Sequence, residues 1–367
     1  MTPTHRPYVY LDLGFYAPCN LKCTYCRSAV VRDDGGTSLE SLDRILEAFG
    51  TRHRAAVAKA SGYGEITIWP HFAAALDLMA ARCPVVQVIT NGTFGRPVLE
   101  AILDRPTVTP NLTIDGHTIA MNRLRVGEQS SLQTRMLDNL RQLVEVGRRV
   151  EINCVLHEHN VRALPTFCEY LADRYAGRVM LFPFPARSFS LAPGVGREVA
   201  AHLHSSVDVL AELNAAYGPI LPPPPYMDAL CDFIRQRARR TPCYVHWLNA
   251  GCGSRRQRLF CANYGEELAY GPMDSLTPAV AAAIAARELT HVAAGRVGPG
   301  CDDCFNHFHI LGMYLDGRMT LEQLTQVPSL SFDGVAPVLV EVKQLFEQVS
   351  LAASIPAVPS DPLEIDA

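Results

Sequence analysis

The sequence predicts an α/β fold, a partial (β/α)6 TIM-like barrel followed by a small cysteine-rich C-terminal domain. Three observations lead there. Short apolar runs alternate with longer amphipathic segments up to about residue 215. The alternation then breaks at Leu221-Pro222-Pro223-Pro224-Pro225. Of the twelve cysteines, five gather between Cys243 and Cys304. Strict strand–helix alternation implies a parallel sheet with right-handed crossovers. Six units fall short of the eight of a closed barrel, so the barrel is open or partial. A doubly wound sheet shows the same alternation and stays as the alternative.

The expected strands are Tyr8–Leu13, Ala56–Ser61, Val85–Thr90, Asn111–Ile114, Val150–Leu156 and Val179–Phe182. They are rich in Val, Ile, Leu or aromatic residues, and most end at Gly, Pro or Asn. Helices are expected between them, at Leu39–Phe49, His71–Ala81, Pro97–Leu103, Ser131–Val146, Arg162–Tyr175 and Arg197–Ala216. Leu137, Leu140, Leu143 and Val144 show the helical spacing. The proline run reads as a stiff extended segment. A helix over Met227–Arg240 follows, then a hairpin within residues 258–270 turning near Asn263-Tyr264-Gly265. Further helices are expected at Pro278–Leu289 and Ala336–Ala352. The expected domains are residues 1–215 and 216–354, with 355–367 a mobile tail.

Composition narrows the function classes. With 48% hydrophobic residues and a net charge of −4, the chain has no basic field for nucleic acid. Met1–Tyr8 lacks the pattern of a signal peptide, and no apolar run reaches the roughly 18 residues of a membrane span. A cytoplasmic protein without nucleic-acid or membrane partners is expected. Cysteines clustered in a reducing compartment bind metal or do chemistry more often than they form disulfides. Cys83, Cys154 and Cys168 are isolated and read as small buried hydrophobes.

The first cysteine cluster follows strand one directly: Ala17-Pro18-Cys19-Asn20-Leu21-Lys22-Cys23-Thr24-Tyr25-Cys26. Thiolates in this C-x3-C-x2-C loop suit a 4Fe–4S cubane, and three ligands leave one iron open. A parallel barrel does its chemistry at this end of its strands. A zinc site would want a fourth ligand, and this loop contains none.

This motif resembles the signature of the radical S-adenosylmethionine (SAM) superfamily, with an aromatic residue before the last cysteine. The resemblance implies that Cys19, Cys23 and Cys26 hold a 4Fe–4S cluster whose open iron takes SAM, while Tyr25 packs near the adenine. One-electron reduction would yield a 5′-deoxyadenosyl radical, and an external donor such as flavodoxin or ferredoxin would supply the electron. Gly62-Tyr63-Gly64-Glu65 is similar to the family's Gly-Gly-Glu-Pro turn, with Glu65 as acceptor for the SAM ammonium; Tyr63 and Ile66 depart from it. Thr90-Asn91-Gly92 resembles another family turn, and Asn91 reads equally as a turn residue. Residues 111–125 resemble the strand-four region of the SPASM/twitch subgroup, which implies SAM contacts from Thr113 and Arg125. Asn153, His157 and Arg187 are further binding candidates.

Cys252-Gly253-Ser254 through Gly265 resembles the start of a SPASM or twitch module, which holds auxiliary Fe–S clusters. No cysteine follows Cys304, so one auxiliary 4Fe–4S cluster is expected rather than two. Where the pattern wants a cysteine after Gly265, this chain has Tyr270. The expected ligands are Cys261, Cys301 and Cys304, with Cys252 or Cys243 fourth. Cys243 with Cys261 is the other pairing, leaving Cys252 spare. His307 and His309 are further candidates, and a structural zinc site is the plainer reading of the whole group.

A cysteine left over, Cys243 or Cys252, could donate its S–H hydrogen to a substrate radical and make the outcome epimerisation. An auxiliary cluster accepting an electron would make it oxidation. The chain opens directly on strand one, which favours a small polar substrate (a sugar, aminocyclitol or nucleoside) over a peptide. A peptide maturase is the second expectation, and a non-catalytic zinc-binding protein is the third.

Overall fold

The computed structural model describes residues 6–26, 38–186, 203–253, 257–259, 261, 269–272, 278–295, 301–302 and 304–353. The alternation holds. Strands β1 (Arg6–Tyr16), β2 (His53–Tyr63), β3 (Val85–Thr90), β4 (Val108–Thr113), β5 (Val150–Leu156) and β6 (Val179–Pro185) match the six expected, and two have the same ends. Between them run helices α1 (Leu39–Gly50), α2 (Phe72–Ala80), α3 (Arg96–Leu103), α4 (Arg123–Val126), α5 (Ser130–Glu145) and α6 (Leu164–Tyr175). Each has a local cause. For α1, Ser38 caps the start by accepting from Ser41 N–H, and Leu42, Ile45, Leu46 and Phe49 form its buried stripe.

With β7 (Asn249–Cys252), β8 (Gln257–Leu259) and β9 (Ala269–Pro272) beyond β1, the sheet order is β6-β5-β4-β3-β2-β1-β7-β8-β9, and β1 to β7 are parallel neighbours. Six strands in simple sequential order contain no switch point, which removes the doubly wound alternative. Right-handed crossovers then put the connecting helices on one face and leave the other as a lumen. The sheet is strongly curved. Tyr10 on β1 and Glu151 on β5 both bond Ser329, at 3.2 and 2.7 Å. In a flat sheet those strands would lie about 19 Å apart.

One strand was not expected. β7 (Asn249–Cys252) pairs in parallel with β1, from Tyr10↔Asn249 to Leu13↔Cys252. Four residues without an apolar run carry no local strand signal; pairing with β1 makes them one. The expected hairpin is present as antiparallel β8 (Gln257–Leu259) and β9 (Ala269–Pro272), while residues 262–268 lie outside the described residues. The proline run is extended at Leu221 and Pro223 as expected, but its last two prolines need correcting: they begin helix Pro224–Gln236. Proline suits a helix's first turn because its missing N–H would have no partner there.

The helix-facing side of the sheet is the core, with Leu11, Val88, Leu112, Ile152 and Leu181 fully buried. Each such side chain contributes about 1.5–3 kcal/mol of burial. Cys83, Cys154 and Cys168 are buried within it. Among the described residues no helix is long and apolar enough to cross a membrane.

Candidate active site at the C-terminal ends of the strands

The end of β1 carries the cysteine loop, and the end of β2 is packed directly beneath it. Gly62 and Gly64 have φ of 139° and 115°. A Cβ on Gly62 would land on the Phe15 carbonyl, and one on Gly64 on the Ala17 carbonyl. Only glycine allows this approach and this backbone. The next residue, Glu65, gives its N–H to Pro18 O at 3.1 Å, so the turn is tied to the chain just before Cys19.

Glu65 is 2% exposed and organises the strand ends. Its Oε1 accepts Thr67 N–H and the Thr67 and Thr90 hydroxyls, at 3.2, 2.6 and 2.6 Å; Oε2 accepts Asn91 N–H at 2.7 Å. Oε1 thus carries three donors and Oε2 one, so Oε2 is the less occupied oxygen. Asn91 in turn donates to Asn20 Oδ1 at 2.9 Å and reaches Cys19 Sγ at 3.9 Å. Leu21 N–H points to the same sulfur at 3.4 Å.

The other side of the loop rests on the segment after β4. Thr24 N–H donates to Leu124 O at 2.9 Å, and Cys23 Sγ lies 3.9 Å from Arg125 O. Cys19 is exposed, while Cys23 and Cys26 are half-buried. Burial pushes the Cys23 thiol up to about 11 against the pull of Arg125. Tyr25 donates to Asp115 Oδ2 at 2.5 Å and accepts from Arg125 at 2.8 Å. Burial pulls the Arg125 guanidinium down, and Tyr25, Cys23 and Asp115 more than offset it, holding it well above its ordinary value. Its Nε is buried without a partner.

Residues 15–171 match the profile of the Radical SAM superfamily. The chain carries a radical SAM domain. Neomycin C epimerase of Streptomyces fradiae is 30% identical over 185 residues, which are 50% of this chain and 58% of that protein. The chain therefore spans less than two thirds of that relative's length. Its fold is that of anSMEcpe with bound AdoMet (TM-score 0.57, 14% identity, 92% of this chain and 99% of that one). It is also that of Streptococcus suis SuiB bound to precursor peptide SuiA (TM-score 0.54, 13% identity, 71% and 60%).

Within the radical SAM domain, β4 and β5 bring Thr113 and Asn153 side by side. They share the face on which Asn111 bonds Glu151 at 2.9 Å, and Asn153 Oδ1 is buried without a partner. The lumen below holds groups not singled out from the sequence. Asp12 accepts from Lys59 at 2.9 Å, Ser61 at 2.5 Å and Asn249 at 3.3 Å. A charged residue inside an otherwise apolar parallel strand was the available signal for Asp12. Asp115 had no such signal, because Asp followed by Gly116 reads as a turn.

The C-terminal cysteines divide. Cys301 and Cys304 are adjacent, with Cys304 N–H on Cys301 O at 3.2 Å. Burial pushes the Cys243 thiol up to about 12; Arg239 opposes this, and Cys304 and Cys301 add to it. Arg239 donates to Cys301 O at 3.0 Å. Cys243 gives its N–H to Gly295 O at 2.7 Å. Cys252 ends β7 level with Leu13, and strand alternation puts it on the opposite face from Asn249. Cys261 is buried. His309 Nδ1 is engaged with the Asn306 backbone at 3.0 Å, and His307 packs on Phe308, Phe182 and Phe184. Arg187 lies outside the described residues. Among the described residues no three His, Cys, Asp or Glu side chains close on one point as a single-ion cage. Cubane thiolates bind different irons and do not need such a point.

Proposed function

We propose that this protein cleaves SAM reductively and abstracts hydrogen from a small polar substrate held in the barrel lumen. The supporting observation is the meeting, at one end of a curved parallel sheet, of the three-cysteine loop with a lumen lined by Asp12, Lys59, Ser61, Asn153 and Asn249. Cys19, Cys23 and Cys26 would hold a 4Fe–4S cluster with one open iron. With SAM bound and an electron from a flavodoxin or ferredoxin, that centre supplies the 5′-deoxyadenosyl radical.

The chain's own groups fit this use. Arg125 Nε is a buried donor without a partner, suited to the methionyl carboxylate. Glu65 Oε2, the less occupied oxygen, is suited to an ammonium donor. Gly62, Gly64 and Asn91 shape the turn between them, Tyr25 closes one wall, and Thr113 and Asn153 face the same space. An auxiliary 4Fe–4S cluster would take Cys261, Cys301 and Cys304, with Cys243 or Cys252 fourth. We place the first domain at residues 1–215 and the auxiliary one at 216–354, with β7 of the second completing the sheet of the first. Thiolate-bound clusters belong in a reducing compartment, which makes the cytoplasm the proposed location.

The relative that is an epimerase makes inversion the favoured outcome. Cys252, spared if Cys243 is the fourth ligand, is the proposed hydrogen donor. It ends β7 on the Leu13 face, so donation requires that the β7 end turn its thiol towards the lumen. The thiyl left behind takes an electron from the same external donor and a proton from water.

Anaerobic reconstitution with iron and sulfide tests the reading. Two cubanes' worth of iron and dithionite-dependent 5′-deoxyadenosine support it, as does loss of that product when Cys19, Cys23 and Cys26 are all changed to Ala. Tightly held zinc without SAM cleavage supports a non-catalytic metalloprotein instead. Deuterium transfer into 5′-deoxyadenosine from labelled aminocyclitols, sugars, nucleosides or peptides identifies the substrate. Cys252→Ala should still cleave SAM but form no inverted product; inverted product from that variant removes Cys252 as donor.

A further inference from the structure

We infer that the Tyr25 hydroxyl is a pin through which Asp115 positions both Arg125 and the cysteine loop. The inference rests on the proposed role of Arg125 as the residue that meets a carboxylate.

Asp115 is the anchor. It is fully buried, and neighbouring elements hold it. Its Oδ1 accepts Val155 N–H from β5 at 2.9 Å. Its own N–H donates to Asn122 Oδ1 at 2.8 Å, and its carbonyl accepts from Asn160 at 3.1 Å. The remaining oxygen, Oδ2, takes the Tyr25 hydroxyl at 2.5 Å. A phenol has one proton to give. Once it goes to Asp115, the Tyr25 oxygen can only accept, and Arg125 donates to it at 2.8 Å. The direction of the relay is therefore set: guanidinium to phenol to carboxylate.

This arrangement answers an electrostatic need. Arg125 is 7% exposed and Asp115 0%. Buried charges are costly unless paired, and removing one partner leaves the other stranded. Tyr25 stands between them, linking the charges while holding Arg125 off Asp115. The guanidinium keeps its Nε for another acceptor. The residues on either side of the contact reinforce it, through Thr24 N–H on Leu124 O and Cys23 Sγ near Arg125 O. An apolar aromatic would fill the same space. The hydroxyl is what makes the connection.

Tyr25→Phe keeps the ring and removes the pin. Arg125 then relaxes towards Asp115, out of line with an incoming carboxylate. In the reconstituted protein, the dissociation constant for SAM, read from the SAM-dependent change in the reduced cluster's electron paramagnetic resonance, should rise about tenfold. Iron content should not change, and 5′-deoxyadenosine formation at saturating SAM should stay within about twofold, the pattern of lost ground-state binding. Asp115→Asn should weaken SAM binding similarly. The double variant should be no worse than the weaker single, because both changes break one relay. In the cluster-free, reduced protein, Tyr25→Phe should speed alkylation of Cys23 at least threefold, read by mass spectrometry. Unchanged SAM affinity, additive losses or unchanged alkylation would each overturn the inference. If the unsubstituted protein cleaves no SAM, the proposed function fails, while the alkylation measurement still decides on the pin.

Discussion

Glu65 Oε2 accepts the backbone N–H of Asn91 at 2.7 Å, so the turn that follows β2 also shapes the end of β3. Both carboxylate oxygens face N–H groups, because Oε1 also accepts Thr67 N–H. Glu65→Gln must therefore set its amide N–H₂ against one of them. The expected cost is about 1–3 kcal/mol. It should appear as a lower denaturation midpoint of the cluster-free protein. Iron loading should fall too, since Asn91 no longer holds its place beside Cys19. An unchanged midpoint would show that the pair carries no weight.

Gly64→Ala should be far more damaging. Its Cβ has no room against the Ala17 carbonyl, and φ of 115° is hostile to any side chain. We expect a loss above about 4 kcal/mol, the range of severe core defects. Soluble yield and circular dichroism check it. Gly50→Ala at the end of α1 is the control: nothing lies within 4 Å of its Cβ position, and the change should be neutral or slightly stabilising.

Glu151 locks the floor of the lumen. It accepts from Gln87 at 2.6 Å, Asn111 at 2.9 Å and Ser329 N–H at 2.7 Å. Glu151→Ala strands three buried donors and opens a cavity, for a loss of roughly 3–5 kcal/mol. Chemical denaturation should show a lower midpoint with an unchanged slope. A change below about 1 kcal/mol would mean that water or rearrangement satisfies those groups.

His157 predicts a pH dependence. Burial, the largest cause, holds its imidazole down to about 4; Glu158 opposes this, while His159 and Arg125 add to it. The unfolded imidazole titrates near 6.5. Between these values the unfolded chain binds the extra proton, so the contribution is complete above pH 6.5 and is lost as pH falls towards 4. At pH 5 the loss is about 2 kcal/mol relative to pH 8. Asp115, 4.0 Å from His157, has its carboxyl pushed up by burial and acts in the opposite sense. The comparison with His157→Asn isolates the histidine: its stability should fall less between pH 8 and pH 5. Equal falls in both proteins would rule the effect out.

Much of the fold was legible because its signals are local. Val85–Thr90 and Val150–Leu156 are apolar runs whose neighbours within a few residues mark their ends. Gly62 and Gly64 announced a special turn, and the carbonyls that demand glycine there belong to β1. β7 was not legible: Asn249–Cys252 is a strand only because β1 lies beside it, more than 230 residues away in sequence. The helix on Pro224 was misread because proline signals extended chain in a run and a helix start when tertiary contacts continue it.

By itself, the sequence determined which residue types could do chemistry and where the repeating strand–helix units lie. Cysteine spacing and apolar periodicity are properties of a few consecutive residues. The tertiary structure alone decided that Asp115 meets Arg125 through Tyr25, that Ser329 closes the floor on Glu151, and that Arg239 bonds the Cys301 carbonyl. Those pairings depend on how far the sheet curves and on the register of its strands. Both are set by burial and hydrogen bonding across the whole barrel, and no short stretch of chain encodes them.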